Sequence, residues 1–96
     1  MNSVETLWPE SMVRWRCRRG LKELDIYFLG YFDRQYAKMS KQERGVLQFL
    51  LLQQDPLLQS WLVYEQIPDD LPSPAKTLLR SMIADQRQHQ DAPTQE

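Results

Sequence analysis

Residues 40–62 read SKQERGVLQFLLLQQDPLLQSWL, and this stretch decides the fold class. Ser40 followed by Glu43 forms a capping box, in which each side chain hydrogen-bonds the backbone N–H of the other at the start of an α-helix. The apolar residues that follow share one helical face: Val46, Leu47, Leu50 and Leu51. Asp55 and Pro56 restart the chain, because Asp favours the N-cap and Pro the first helical position. The stretch therefore predicts two consecutive helices.

Two further helices are predicted before this stretch. The first begins at Pro9 and ends near Gly20, which suits a left-handed helix terminus. The second covers residues 21–37. Their apolar faces hold Trp8, Met12 and Trp15 in the first helix, and Leu24, Phe28 and Tyr31 in the second. Residues 26–29 are β-prone, but the chain offers no partner strand. Gly30 indicates that another helix passes close to the second one.

A polar, proline-containing break precedes the last predicted helix. This helix begins at Ser73 and Pro74, a second cap-and-proline start. Its apolar face holds Ala75, Leu78, Leu79, Met82 and Ile83. We therefore expect an all-α fold: a single domain over residues 1–96, built as a bundle of about five short helices. Residues 1–8 and 87–96 are expected to be frayed or disordered.

The expected core draws on residues from every predicted helix: Trp15, Leu24, Phe28, Tyr31, Leu47, Leu50, Leu51, Trp61, Leu62, Leu79 and Ile83. Cys17 lies in an amphipathic segment, so we expect a buried structural thiol there.

Composition excludes several classes of protein. The chain has 96 residues, a net charge of -1, one Cys and one His. A single Cys cannot form an intramolecular disulfide, and one Cys with one His cannot build a usual zinc site. No apolar run approaches the length of about 20 residues that a membrane span needs. The first residues lack the pattern of a targeting signal, so we expect a cytoplasmic, bacterial protein.

Charge is concentrated in one segment. Five cations lie within nine residues: Arg14, Arg16, Arg18, Arg19 and Lys22. Outside residues 14–25, the chain carries seven Lys and Arg against eleven Asp and Glu. The ordinary interpretation is a solvated helix end whose arginines favour the helix dipole. The alternative is a docking knob, because Arg19 and Glu23 would present a guanidinium fork and a carboxylate on either side of the bare Gly20 backbone.

Residues 15–25, WRCRRGLKELD, resemble the signature of the SdhE family of succinate dehydrogenase flavinylation factors. The shared motif is Arg-Gly-x-x-Glu, matched here by Arg19, Gly20 and Glu23. Phe32, Asp55-Pro56-Leu57 and Trp61-Leu62 extend the resemblance along the chain.

This resemblance implies an assembly factor and not an enzyme. It implies binding to the flavoprotein subunit of succinate dehydrogenase or fumarate reductase, and promotion of covalent FAD attachment to that client. It also implies no catalytic or metal-ligating residue and no cofactor bound stably by the factor itself. The partner-binding residues that it implies are Arg18, Arg19, Gly20, Glu23 and Asp25. Orienting the reactants would suffice, since orientation alone can remove several kcal/mol from a barrier.

The residues alone leave one alternative open. Arg14–Lys22, with Trp15 inside it, is compatible with a nucleic-acid-binding or antitoxin-like regulatory protein. Against this, the acidic remainder would repel phosphate, so we expect no nucleic acid partner. We also expect no direct membrane insertion. An enzyme is disfavoured because His89 has no predicted partner, and a general base needs one.

Overall fold

The computed structural model describes residues 7–90, which form five α-helices. These are α1 (Glu10–Arg16), α2 (Lys22–Gln35), α3 (Lys41–Leu51), α4 (Asp55–Leu58) and α5 (Ser73–Gln90). A 3₁₀ turn, Tyr36–Lys38, follows α2, and a π-helical turn, Gln59–Val63, continues α4. Residues 7–90 contain no strand, which confirms the all-α prediction. None of the helices in this range is long and apolar enough to cross a membrane.

Helix α2 lies at the centre of the bundle and packs against α5 and the π-helical turn, while α3 packs on α5. Its inner face buries Leu24, Phe28 and Phe32. Each such side chain contributes about 1.5–3 kcal/mol when it is removed from water. The ring of Phe32 stacks on Tyr36 with a centroid distance of 4.4 Å, which carries the core into the 3₁₀ turn.

The capping box at the start of α3 is confirmed. The backbone N–H of Glu43 donates to the Ser40 hydroxyl at 3.1 Å, and the backbone N–H of Ser40 donates to the Glu43 carboxylate at 2.8 Å. Helices α4 and α5 each begin one residue earlier than predicted, at the residue that was expected to be the N-cap. Gln54 is the N-cap of α4, so Asp55 lies inside the helix and its carboxylate caps nothing. Ser73 is likewise the first residue of α5.

The predicted core is mostly confirmed: Leu24, Phe28, Leu47, Leu50, Leu51, Trp61, Leu62, Leu79 and Ile83 are all buried. Tyr31 is only half-buried. The placement of Trp15 in the core is wrong, since this residue is 74% exposed. Helix α1 instead buries Val13 and Cys17, which are four residues apart and share a face. Trp15 follows Val13 by two residues, so it points about 200° away from it.

The first helix also ends earlier than predicted, at Arg16 instead of near Gly20. Helix α5 continues through residues 87–90, which were expected to be frayed. At the other end of the described range, Trp8 precedes α1, and its backbone N–H donates to the Gln48 side chain at 2.9 Å. The expectation for residues 1–6 and 91–96 lies outside the described residues.

A buried ion pair joins α2 to α5. The Arg34 guanidinium donates to one carboxylate oxygen of Asp85 from Nε at 3.0 Å and from Nη2 at 2.6 Å, and Asp85 is only 7% exposed. Gly30 leaves room for this guanidinium, because a Cβ there would lie 2.7 Å from Arg34 Nη2. The close approach predicted at Gly30 is therefore made by a side chain of the same helix.

We predict that Asp85→Ala lowers the free energy of unfolding by about 2–3 kcal/mol, because it leaves the Arg34 charge without its partner inside the α2–α5 contact. Urea denaturation followed by far-UV circular dichroism measures this. Asp70→Ala is the matched control, since Asp70 is exposed, and we expect a change within about 0.5 kcal/mol. Equal effects of the two substitutions would contradict the assignment.

Candidate functional site around Gly20

Gly20 lies in the link between α1 and α2 and has a left-handed backbone, with φ of 90°. No heavy atom lies within 4 Å of the position that a Cβ would take there. The backbone conformation and not a lack of space therefore favours glycine, because side-chain-bearing residues rarely adopt this region. Gly20 is exposed, so its bare backbone is accessible to a partner.

The Arg19 side chain points into the protein, not toward solvent. Its Nε donates to the Asp55 carboxylate at 3.0 Å. Its Nη1 donates to the carbonyl oxygens of Arg16 at 3.2 Å and Leu51 at 2.9 Å, and its Nη2 donates to that of Gln53 at 2.8 Å. The Arg19 side chain is 12% exposed. We call this set of contacts the Arg19 clamp.

The Arg19 clamp supplies hydrogen-bond donors to carbonyl oxygens at the end of α3. The last carbonyls of an α-helix have no partner within the helix, and a cationic donor near them is favourable. Arg19 supplies that donor to Leu51 at the end of α3 and pairs with Asp55 at the start of α4. The geometry expected at the sequence level, a guanidinium fork offered outward beside Gly20, is therefore not the one observed.

Asp25 also acts within the junction. Its carboxylate accepts a hydrogen bond from the backbone N–H of Arg19 at 2.6 Å, and it is half-buried. This contact holds the link onto the first turn of α2. Arg19 and Asp25 thus have positioning roles in the structure, and partner binding by either of them stays a prediction.

Two of the predicted site residues present free side chains beside Gly20. Arg18 and Glu23 are exposed, and within residues 7–90 neither side chain makes a hydrogen bond or ion pair. Glu23 lies at the edge of a shallow depression of about 270 Å³, lined by Ile26, Tyr27, Val63 and Gln86. The accessible residues of the predicted site are therefore Arg18, Gly20 and Glu23, while Arg19 and Asp25 make contacts inside the junction.

Cys17 is fully buried directly before the junction, as predicted. Burial raises the pKa of its thiol to about 12, although the charges of Arg19 and Arg14 act in the opposite direction. A nucleophilic cysteine needs a lowered pKa and access to solvent, and Cys17 has neither. In the part of the chain that the structure describes, no group of His, Cys, Asp and Glu side chains is arranged to hold a metal ion.

The sequence pattern missed the partner of Arg19. Asp55 was interpreted as a helix cap because it precedes a proline, whereas its carboxylate accepts from a guanidinium 36 residues earlier in the chain. The basic Arg14–Lys22 cluster is also less available than its charge count indicates. Arg14 pairs with Asp33 at 3.6 Å, and the Arg16 guanidinium lies over the Trp8 ring at 4.8 Å from its centroid.

Comparison with known proteins identifies the family of the chain. The family model described as "Flavinator of succinate dehydrogenase" matches residues 11–89. The chain belongs to this family. A protein of Coxiella burnetii called FAD assembly factor SdhE is 36% identical over 70 residues, covering 73% of this chain and 83% of the relative. Proteins of the same name from Idiomarina loihiensis and Colwellia psychrerythraea are 35% identical over 68 residues and 33% identical over 61 residues. These alignments cover 71% and 64% of this chain, and 76% and 67% of the relatives.

Membership of the flavinator family confirms the resemblance drawn from residues 15–25. The family match extends from α1 to the penultimate residue of α5, so it covers the junction and the helices that the Arg19 clamp joins. Within the motif of this family member, the Arg19 side chain is largely buried, whereas Gly20 and Glu23 are exposed.

We predict that Arg19→Ala lowers the free energy of unfolding by about 3 kcal/mol, because the Leu51 and Gln53 carbonyls and the Asp55 carboxylate all lose their donor. Arg18→Ala, the adjacent exposed arginine, should change it by no more than about 0.5 kcal/mol. Chemical denaturation of both variants tests this. A loss in Arg18→Ala as large as that in Arg19→Ala would contradict the clamp.

We also predict a loss of stability at alkaline pH that depends on Cys17. The thiol ionises near pH 9 in the unfolded chain and near pH 12 in the folded one, so its contribution is fully present below pH 9 and is lost as the pH rises toward 12. The slope in this window approaches about 1.4 kcal/mol per pH unit. Denaturation curves at pH 8, 9 and 10 should therefore show a steeper decline for the wild type than for Cys17→Ala. Parallel declines would contradict this prediction.

Proposed function

We propose that this chain is an FAD assembly factor that binds the flavoprotein subunit of succinate dehydrogenase or fumarate reductase and promotes covalent attachment of FAD to it. The observation that carries the proposal is the exposed pair of Gly20 and Glu23, held in place by the Arg19 clamp. Membership of the flavinator family and the names of its bacterial relatives support it. The site of action that we propose is the bacterial cytoplasm.

The mechanism that we propose is orientation of the client. The described residues offer an exposed junction held by the hydrogen bonds of Arg19, with one unpaired carboxylate, Glu23, beside a bare backbone at Gly20. Holding two parts of the flavoprotein in a reactive arrangement lowers the barrier without any reacting group from the factor. In this proposal the client supplies both the bound FAD and the residue that is modified, and the factor does not hold FAD stably by itself.

The role of Glu23 follows from its surroundings. A carboxylate that has no partner in the free protein can form a charge-assisted hydrogen bond with an arginine, lysine or backbone N–H of the client. Gly20 allows the client backbone to approach, because no side chain covers the link at that point. The depression beside Glu23, with Ile26 and Tyr27 on its wall, offers apolar area for the same contact.

The nucleic-acid-binding or antitoxin-like alternative has less support. Of the five cations between Arg14 and Lys22, Arg19 is inside the clamp, Arg14 is paired with Asp33, and Arg16 lies over Trp8. A phosphate backbone would find few free cations here, whereas nucleic-acid affinity depends on neutralising several phosphates.

We predict that Glu23→Gln and Gly20→Arg both abolish covalent flavin on the client while the helical fold is kept. Glu23→Gln removes the charge, with an expected loss of about 2 kcal/mol or more in client binding. Gly20→Arg blocks the bare backbone, and because a Cβ at this position meets nothing, the fold loses only about 1–2 kcal/mol from backbone strain. In-gel fluorescence of covalent flavin measures the outcome, with the client co-expressed in a host that lacks its own factor.

Glu10→Gln is the matched control, since Glu10 is also an exposed acid in the first turn of a helix. It should support normal flavin attachment. Normal covalent flavin with both Glu23→Gln and Gly20→Arg would refute the proposed role of this site.

A further inference from the structure

Trp15 is a large aromatic side chain that the fold leaves in solvent. At 74% exposure it is the most exposed large hydrophobic residue within residues 7–90. Helix α1 could bury a tryptophan on its inner face, but Val13 and Cys17 occupy that face. A single exposed hydrophobic residue is common on monomeric proteins, but tryptophan is among the residues most enriched at the energetic centres of interfaces.

Arg18, a cationic residue, lies three positions after Trp15 in the chain. The backbone N–H of Arg18 donates to the Trp15 carbonyl at 3.2 Å, which closes one backbone turn between the two residues. Arg18 is exposed, and its guanidinium has no partner in the described part of the chain. We call Trp15 and Arg18 together the Trp15 patch.

The Trp15 patch is continuous with the junction. Arg18 is two residues from Gly20, and Leu21, directly after Gly20, adds another exposed apolar side chain. The Arg19 clamp fixes the backbone between the patch and Gly20, because Arg19 is tied to Arg16 on one side and to Asp25 on the other. The patch and the candidate site are therefore held in one fixed relation, and a single partner surface can cover both.

We propose that the Trp15 patch anchors the flavoprotein client, with the indole entering an apolar pocket and Arg18 pairing with a carboxylate at the rim of that pocket. This inference rests on the proposed function and extends it to Trp15, with Arg18, which the resemblance already implies as a partner-binding residue, as its charged neighbour. The partner chemistry follows from the patch: an aromatic ring without cover needs an apolar recess, and an arginine without a counter-ion needs an acid. Trp15 gives affinity, and Arg18 gives orientation and speeds association.

The test is the affinity of purified factor for the purified apo-flavoprotein subunit, measured by isothermal titration calorimetry. Trp15→Ala should weaken binding by about thirtyfold or more, the effect of truncating an interfacial hot spot. Arg18→Glu should weaken it by about tenfold or more, and the loss should shrink as salt rises from low to physiological levels because the interaction is electrostatic. Both variants should keep the wild-type urea midpoint, since both side chains are exposed.

Two control variants match these changes. Phe49→Ala removes another partly exposed aromatic ring, on the side of α3 that faces Pro72 and Pro74. Arg80→Glu reverses an exposed arginine on α5, beside Glu65 and Arg87. Both should bind the client as the wild type does, so that general changes in hydrophobicity or net charge are distinguished from the loss of the patch.

The outcomes separate this inference from the proposed function. If the wild type binds the client and supports flavin attachment while Trp15→Ala and Arg18→Glu bind equally well, the Trp15 patch is not the anchor and the proposed function stands. If the wild type itself neither binds the client nor supports attachment, both proposals fail. A wild-type dimer that Trp15→Ala dissociates, with client binding unchanged, would assign the ring to self-association and overturn the inference.

Discussion

The guanidinium of Arg19 is hydrogen-bonded to three parts of the chain at once: the end of α1, the end of α3 and the start of α4. It is nearly enclosed, and it lies 5.9 Å from the centroid of the buried Phe28 ring. A charge in this position is stable only while its hydrogen bonds are complete, because an unpaired buried charge costs several kcal/mol. The hydrogen bonds of Arg19 therefore fix the conformation of the α1–α2 link. The accessible residues around Gly20 are positioned by that conformation.

This dependence assigns different roles to the residues of the motif. Arg19 and Asp25 make contacts inside the protein, whereas Gly20 and Glu23 are exposed to solvent. A change at Arg19 acts on the fold first and on any partner afterwards, while a change at Glu23 leaves the fold alone. Loss of function in an Arg19 variant is thus no evidence that its guanidinium contacts a client. Stability has to be measured in the same experiment before a contact is inferred.

Local patterns predicted the fold well, and contacts distant in sequence account for most of what they missed. The Ser40–Glu43 capping box could be recognised because both partners lie within one turn. The inward course of Arg19 could not, since three of its four acceptor residues are 32 to 36 residues away and become neighbours only when α3 and α4 pack beside the junction. Trp15 was assigned to the core because a helix phase was inferred from Trp8, which precedes α1. A difference of two residues in the phase of a short helix is enough to exchange its inner and outer faces, because each residue turns the helix by about 100°.

The two aromatic rings of the first segment have different environments. Trp8 is half-buried, with its backbone N–H bonded to the Gln48 side chain of α3 and its ring beneath the Arg16 guanidinium, so it is held within the fold. In the part of the chain that the structure describes, Trp15 makes no such contact and the Arg18 side chain has no partner, whereas Arg14, Arg16 and Arg19 all make contacts within the fold. The core of a 96-residue chain is small, so a limited fraction of its apolar surface can be buried on folding. In the proposal made above, this ring and the neighbouring Arg18 charge are the part of the surface that the client covers.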